Sequence, residues 1–214
     1  DAAHAFGVRC RGRSAASFGD VSVFSFHATK VFHTVEGGAA CFADQALARV
    51  LDDLKNYGIR DEETVAAVGG NAKMSEFQAA MGICNLHHLD REIGKRKLVV
   101  ERYWSHLDGL EGIRLCKPQK DVEPNYAYFP VVFDGFGATR DEVFDALAEQ
   151  GVMARKYFYP ITNSVEAYAD LTTSGVEKTP VAAFLADRVL TLPMYADLAL
   201  EDVDRICEIV LNCK

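Results

Sequence analysis

Apolar and polar positions fall into blocks whose spacing predicts the elements. Residues 20–26, DVSVFSF, have the β-branched and aromatic content of a strand, and GGAACFA from Gly37 reads as a second strand after a glycine turn; both are expected to be buried. Asp44 precedes Leu47, Val50, Leu51 and Leu54 at i, i+3, i+4, i+7 spacing, which predicts a capped amphipathic helix docked on a core and stopped by Asn56, Tyr57 and Gly58. A polar loop then runs to Gly69 and Gly70. Ser75 opens a long helical stretch with Phe77, Ala80, Met81 and Cys84 on one face, and helix-compatible sequence continues through Val99, Tyr103 and Leu107, long enough to link two domains. Beyond Gly109 and Gly112, residues 128–133 are extended, and Thr139 with Glu142 makes a capping box ahead of Val143, Phe144 and Leu147. Thr179 places a cap before the first-turn Pro180, and the closing helix carries Val203, Ile206, Cys207, Val210 and Leu211 on one stripe. With no internal repeat and no linker rich in Pro, Ser or Gly, the boundary falls inside the long helix and divides residues 1–95 from a small α+β domain, residues 96–214.

Composition narrows the class of protein. Hydrophobic residues make up 49% of the 214 and charged residues 25%, the proportions of a globular chain with no disordered or low-complexity character. Lys+Arg 23 against Asp+Glu 31 gives a net charge of −8, which speaks against nucleic acid as a partner and leaves room only for a local anion site. The longest apolar stretches are broken well short of the roughly 20 residues a membrane span needs, so no membrane partner is expected. The opening DAAHAFGVRC has neither an initiator Met nor a signal sequence, which leads to the expectation of a chain processed or cut from something longer. Six cysteines, at 10, 41, 84, 116, 207 and 213, form no Cys-x-x-Cys pair and have no His at zinc-ligand spacing. No metal site is expected, and reduced thiols point to a cytoplasmic compartment.

Candidate chemistry gathers around Lys30, at the end of SFHATK where a strand gives way to a loop. Desolvation at such a place favours the neutral amine that condenses with a carbonyl; the alternative is a solvated surface lysine, the common fate of lysines. Ser25, five residues earlier, is either a phosphate-binding hydroxyl or a strand hydroxyl bonded to nearby backbone. The carboxylate of Asp1 could pair with a protonated ring nitrogen, a reading that Asp1 alone does not carry. His4, His27 and His33 flank the same region without carboxylate or Cys partners at metal-ligand spacing, so ring stacking or hydrogen bonding is the better reading. GGNAKM, with Asn71 and Lys73, precedes a helix start, suited to anion contact and equally to a plain loop and cap.

The ordered set DAAHAFG, SFGDVSVFSFHATK, EGG and GGNAKMSEFQAA resembles the DegT/DnrJ/EryC1/StrS family of sugar aminotransferases, along essentially the whole chain. The resemblance implies an α/β fold: the C-terminal part of a fold type I pyridoxal-phosphate enzyme, with a partial large domain holding a mixed sheet over residues 1–95 and the small domain after it. It implies that Lys30 binds pyridoxal 5′-phosphate covalently and shuttles the proton, that Asp1 pairs with the pyridine nitrogen, that His4 lies against the ring, and that Ser25 binds the phosphate. Asn71 matches an asparagine that reaches the cofactor phosphate of a neighbouring subunit, which implies a homodimer with shared active sites. Lys30 argues against the dehydratase branch of the family, which has a histidine there.

KVFHTVEGGA, VGGNAKMSEFQAAMGICNL and ARKYFYPIT look like the members that aminate dTDP-4-keto-6-deoxyglucose with glutamate, giving dTDP-4-amino-4,6-dideoxyglucose for surface polysaccharides such as O-antigen. Lys73, Arg155, Lys156, Tyr157 and Tyr159 are the candidate contacts to the diphosphate or sugar, with a strand edge of the small domain as the alternative for the last four. Relatives often carry Pro-Leu-His where this chain has Pro160, Ile161 and Thr162, so a contact made through that histidine is not expected. A 3-aminotransferase acting on a dTDP-3-keto-6-deoxyhexose shares the same catalytic set. A catalytically incompetent fragment or scaffold is the reading of a different class, since no N-terminal half of a type I enzyme precedes Asp1.

Overall fold

The computed structural model describes residues 1–171 and 174–213. Its elements in chain order are β1 (Arg9–Cys10), β2 (Arg13–Ser14), β3 (Val21–Ser25), β4 (Gly38–Phe42), α1 (Ala46–Lys55), α2 (Glu76–Leu86), α3 (Leu89–Leu107), β5 (Ile113–Leu115), β6 (Val122–Glu123), β7 (Phe129–Phe133), α4 (Arg140–Glu149), α5 (Pro180–Ala186), β8 (Val189–Leu192) and α6 (Leu200–Leu211). The chain forms two compact units. The first comprises Asp1–Ile93 with Gln119–Asn125, and the second Gly94–Pro118 with the chain from Tyr126 on. Residues 119–125 return to the first unit because β6 pairs antiparallel with β1, Arg9 opposite Glu123 and Cys10 opposite Val122.

In the first unit β3 and β4 form a hairpin in register Val21–Phe42 to Ser25–Gly38, and β2-β1-β6 forms a three-stranded sheet. The mixed sheet expected for residues 1–95 is absent: every strand pair among the described residues is antiparallel, because neighbouring strands are joined by turns or by returning chain and no helical crossover links two parallel strands. Nor are both strands buried, as expected. β3 alternates, with Ser22 and Phe24 inward and Val23 outward, and no residue of β4 is fully buried. The core is an aromatic cluster: Phe6 stacks on Phe32 with ring centroids 4.3 Å apart, and Phe24 and Phe26 meet Phe6 edge-on.

Helix α1 corrects the expectation of a docked amphipathic helix. Val50 and Leu54 are exposed, and its one buried residue is Asp53, whose carboxylate is held by Arg60 at 2.8 Å and Arg49 at 3.2 Å. The Arg60 hydrogen bonds hold that carboxyl below the usual carboxylate range. The long helix expected from Ser75 is two helices. His87 N–H and His88 N–H turn back to Cys84 O and Asn85 O, and α3 restarts with Asp90 and Glu92 in its first turn, where helix N-termini favour acidic groups. Ser75 and Gln78 make the reciprocal cap of α2. The face carrying Phe77, Met81 and Cys84 is exposed, Phe77 by 90%; the buried position is Gly82, where a Cβ would stand 2.9 Å from Thr34 Cγ2.

The second unit holds the larger core. Strands β5-β7-β8 form an antiparallel sheet, with Phe129, Val131 and Phe133 facing inward from β7. Against it pack Val99, Tyr103 and Leu107 of α3, Val143 and Leu147 of α4, and Val203, Ile206, Cys207 and Val210 of α6. Tyr103 stacks on Phe129 and donates its hydroxyl to Pro193 O at 2.9 Å. Asp204 clamps α6 to α3 through Arg102, at 2.5 and 2.6 Å, and His106 at 2.7 Å, and Arg102 foremost pulls its carboxyl down to about 2. Thr139 and Glu142 form the capping box read from the sequence. Thr179 does not cap α5: its backbone lies outside the extended N-cap region, and its hydroxyl is bonded to the Asn163 amide at 3.0 Å.

Candidate active site

Lys30 follows β3 in a tight turn in which its N–H donates to His27 O at 2.9 Å. Its side chain is half-buried, and Nζ lies 3.2 Å from Nδ1 and 3.4 Å from Nε2 of His4. Residues 26 positions apart meet because the segments beneath them are locked together. Phe6, two residues after His4, stacks on Phe32, two residues after Lys30. The buried Asn125 donates to His4 O at 2.7 Å and Phe6 O at 2.9 Å, which fixes the turn that presents the imidazole. Burial, and then the charge of Lys30, push the His4 imidazole below its ordinary pKa, so its neutral form is favoured. A neutral ring beside an amine accepts a hydrogen bond from it without adding a second positive charge.

Asp1 is placed at the side of β3 by the bond from Ala2 N–H to Val23 O at 2.9 Å, and its exposed carboxylate accepts from Ala3 N–H at 2.9 Å. Ser25 closes β3, half-buried, with the His27 N–H 3.4 Å from its Oγ. The first unit thus holds an amine and a neutral imidazole in contact, and it also carries an exposed carboxylate beside β3 and a hydroxyl at the end of that strand. That donor set matches what a carbonyl-bearing, phosphorylated pyridine ring needs: an amine for its carbonyl, a carboxylate for its ring nitrogen and a hydroxyl for its phosphate. Among the described residues no group of His, Cys, Asp and Glu could hold a metal ion; His27 instead faces Thr29 Oγ1 at 2.9 Å and Glu36 at 3.6 Å.

Asn71 and Lys73 lie elsewhere in the same unit, and no described hydrogen bond or ion pair joins them to Lys30. Asn71 bridges to Asn56 at the end of α1, while Lys73 Nζ donates to Asn56 Oδ1 at 2.9 Å and sits 4.5 Å from the centre of the Tyr57 ring. The remaining candidates belong to the second unit. Arg155 bridges to Thr191 of β8 and lies over the Tyr157 ring, Lys156 pairs with Asp141 at 2.5 Å, and Tyr159 lies under Arg140. Sequence reasoning missed Asn125, because an isolated Asn in a loop 121 positions from its acceptor leaves no local signal; the Phe6–Phe32 stack was legible only as two apolar residues.

Residues 1–211 match the DegT/DnrJ/EryC1/StrS aminotransferase family. The chain belongs to it. Among the relatives, the dTDP-4-amino-4,6-dideoxy-D-glucose transaminase of Escherichia coli is 38% identical over 99% of this chain and 58% of its own length. The dTDP-3-amino-3,4,6-trideoxy-alpha-D-glucose transaminase of Streptomyces venezuelae is 32% identical over 98% of this chain and 54% of its own length. The crystal structure of DesI in the presence of its TDP-sugar product superposes with a TM-score of 0.89 at 36% identity, covering all of this chain and 54% of that one. The chain therefore spans between half and three-fifths of the length of these DegT/DnrJ/EryC1/StrS relatives. Among the described residues no helix is long and apolar enough to cross a membrane.

Proposed function

We propose that this chain carries the catalytic lysine of a pyridoxal-phosphate-dependent nucleotide-sugar aminotransferase. The substrate is dTDP-4-keto-6-deoxyglucose, the product dTDP-4-amino-4,6-dideoxyglucose for cytoplasmic steps of surface-polysaccharide synthesis, and glutamate the amino donor. The observation that carries the reading is the Lys30 amine seated against the neutral imidazole of His4. When bound, pyridoxal phosphate supplies the electron sink that makes proton removal from the nitrogen-bearing carbon feasible. Lys30 would hold that group through its amine and, once displaced by the amine of the donor, Nζ would carry the proton between the substrate carbon and the cofactor's carbonyl carbon as general base and acid. His4 accepts a hydrogen bond from Nζ and orients the amine. Asp1 would keep a proton on the ring nitrogen through its carboxylate, and Ser25 would donate its hydroxyl to the phosphate.

In this reading residues 1–95 are part of the cofactor-binding large domain and residues 96–214 the small domain, with residues 119–125 returning to pair in the first unit. Asn71 reaches the phosphate in a second copy of the chain, which makes the enzyme a homodimer with shared sites; the exposed Phe77 and Met81 of α2 supply apolar surface for such a contact. Lys73, Arg155, Lys156, Tyr157 and Tyr159 bind the diphosphate and sugar. Borohydride reduction of the full-length protein loaded with pyridoxal phosphate, followed by peptide mapping, is expected to leave the tag on Lys30. A tag elsewhere, or undiminished activity in Lys30→Ala, overturns the assignment.

A second reading, amination at C3 of a dTDP-3-keto-6-deoxyhexose, is favoured by the 32% identity to the 3-aminotransferase of Streptomyces venezuelae. Product analysis with 3-keto and 4-keto nucleotide sugars separates the two.

A further inference from the structure

Two adjacent residues at the start of α4 hold most of the 155–159 segment. The Arg140 side chain is 3% exposed. Its Nη1 donates to Ala186 O at 2.9 Å and Val189 O at 3.1 Å, its Nε donates to Asp141 Oδ1 at 2.7 Å, and its guanidinium lies 5.0 Å from the centre of the Tyr159 ring. The Asp141 carboxylate also takes Lys156 Nζ at 2.5 Å, and the same ammonium sits 4.6 Å from the centre of the Phe144 ring. Val189 opens β8, and two positions on, Thr191 exchanges both backbone hydrogen bonds with Arg155, at 3.0 and 2.8 Å. Burying a guanidinium is costly unless its donors are satisfied. Here the contact with the Tyr159 ring is direct, Lys156 is reached through Asp141, and Arg155 is reached along β8 from Val189 to Thr191.

We propose that Arg140 and Asp141 are positioning residues for the nucleotide sugar: Arg140 sets the Tyr159 ring and the β8 edge, and Asp141 aims the Lys156 ammonium. This rests on the reading above that Lys156 and Tyr159 contact the nucleotide sugar. An ammonium has three donors, and Asp141 Oδ1 engages one of them, leaving the others for phosphate oxygens. Lysine at position 140 would keep the charge and lose the planar fork that spans two carbonyls, a carboxylate and a ring.

The test uses the full-length protein, with thymidine diphosphate affinity by calorimetry and steady-state kinetics with both substrates. Should Arg140→Lys fail to fold, Asp141→Asn, at a side chain 59% exposed, still carries the test. Either variant is expected to weaken thymidine diphosphate binding and raise KM for the nucleotide sugar about tenfold, roughly 1.4 kcal/mol, with kcat and the KM for glutamate unchanged. Asp141→Glu restores part of the affinity, and Asp141→Asn adds nothing to Lys156→Ala, since it acts through that ammonium. If Lys156→Ala or Tyr159→Phe weakens binding while Asp141→Asn does not, or if Asp141→Asn and Lys156→Ala add, the positioning role is wrong and the contacts stand. If Lys156→Ala and Tyr159→Phe both leave binding unchanged, the contact reading falls and this inference falls with it.

Discussion

His4 shows how one side chain links packing to acid sensitivity. Its folded pKa lies below the ordinary imidazole value because burial and the Lys30 charge disfavour the imidazolium. The unfolded chain therefore binds more protons near and below pH ~6.5, so the stability tied to His4 is complete above that pH and is lost as pH falls through it. Urea midpoints at pH 7.5 and 5.5 should show a drop in the native chain that His4→Gln reduces; an identical drop in both would mean that His4 is not its source. A second residue-scale contrast concerns thiols. Burial pushes the Cys207 thiol up to about 12, while Cys116 is exposed. A thiolate-selective reagent should modify Cys116 in the folded protein and reach Cys207 only after denaturation, with mass spectrometry of the labelled peptides as the check. The Lys30–His4 pair itself is partly legible in the sequence, since DAAHA and SFHATK name both residues. What places them 3.2 Å apart is the Phe6–Phe32 stack and the Asn125 side chain, none of which sequence spacing reveals.

At the scale of elements, local chemistry was most readable where it was self-contained. The capping box at Thr139 needs only residues three apart, and it forms; Ser75, legible only as a helix start, makes a second one with Gln78. Thr139→Ala should cost about 1 kcal/mol in equilibrium urea unfolding, because the N3 amide loses its acceptor and the Glu142 carboxylate, while keeping the backbone N–H of residue 139, loses the hydroxyl. For Thr179→Ala no cap is lost, and its cost should come only from the loop bonds to Asn163; losing a full cap's worth of stability in that variant would contradict the geometry. Periodicity was less reliable for α1 and α2. Both have an apolar stripe, yet a stripe states only that a face is apolar, and within this chain Val50, Leu54, Phe77 and Met81 remain exposed. The His87–His88 break was invisible because both flanks are helix-compatible and only the turn-back bonds to Cys84 and Asn85 mark it.

For the molecule as a whole, the two units differ in how much apolar surface they bury. The second unit centres on Leu147, Leu190, Val203 and Val210, all fully buried, with the chain's single tryptophan, Trp104, packed against them. Leu147→Ala should destabilise that unit by about 2–5 kcal/mol, read from the Trp104 fluorescence transition. The first unit buries a small aromatic cluster and leaves Val68 and Phe77 at least 90% exposed. Sedimentation velocity of the full-length protein should show a self-associated species that Phe77→Asp shifts toward monomer; an unchanged distribution would remove α2 from the interface. By itself the sequence determined the family, the strands β3, β4 and β7 and the Thr139 cap, and it named the candidate amine, carboxylate and hydroxyl, because caps, strand composition and short motifs are properties of neighbouring residues. Only the tertiary structure decided that the sheets are wholly antiparallel, that residues 119–125 return to the first unit, that Asn125 holds the His4 turn, and that Arg140 and Asp141 brace the 155–159 segment. Each of these depends on contacts between positions far apart in the chain, and such contacts are set by which surfaces pack together, a choice that no local window of residues contains.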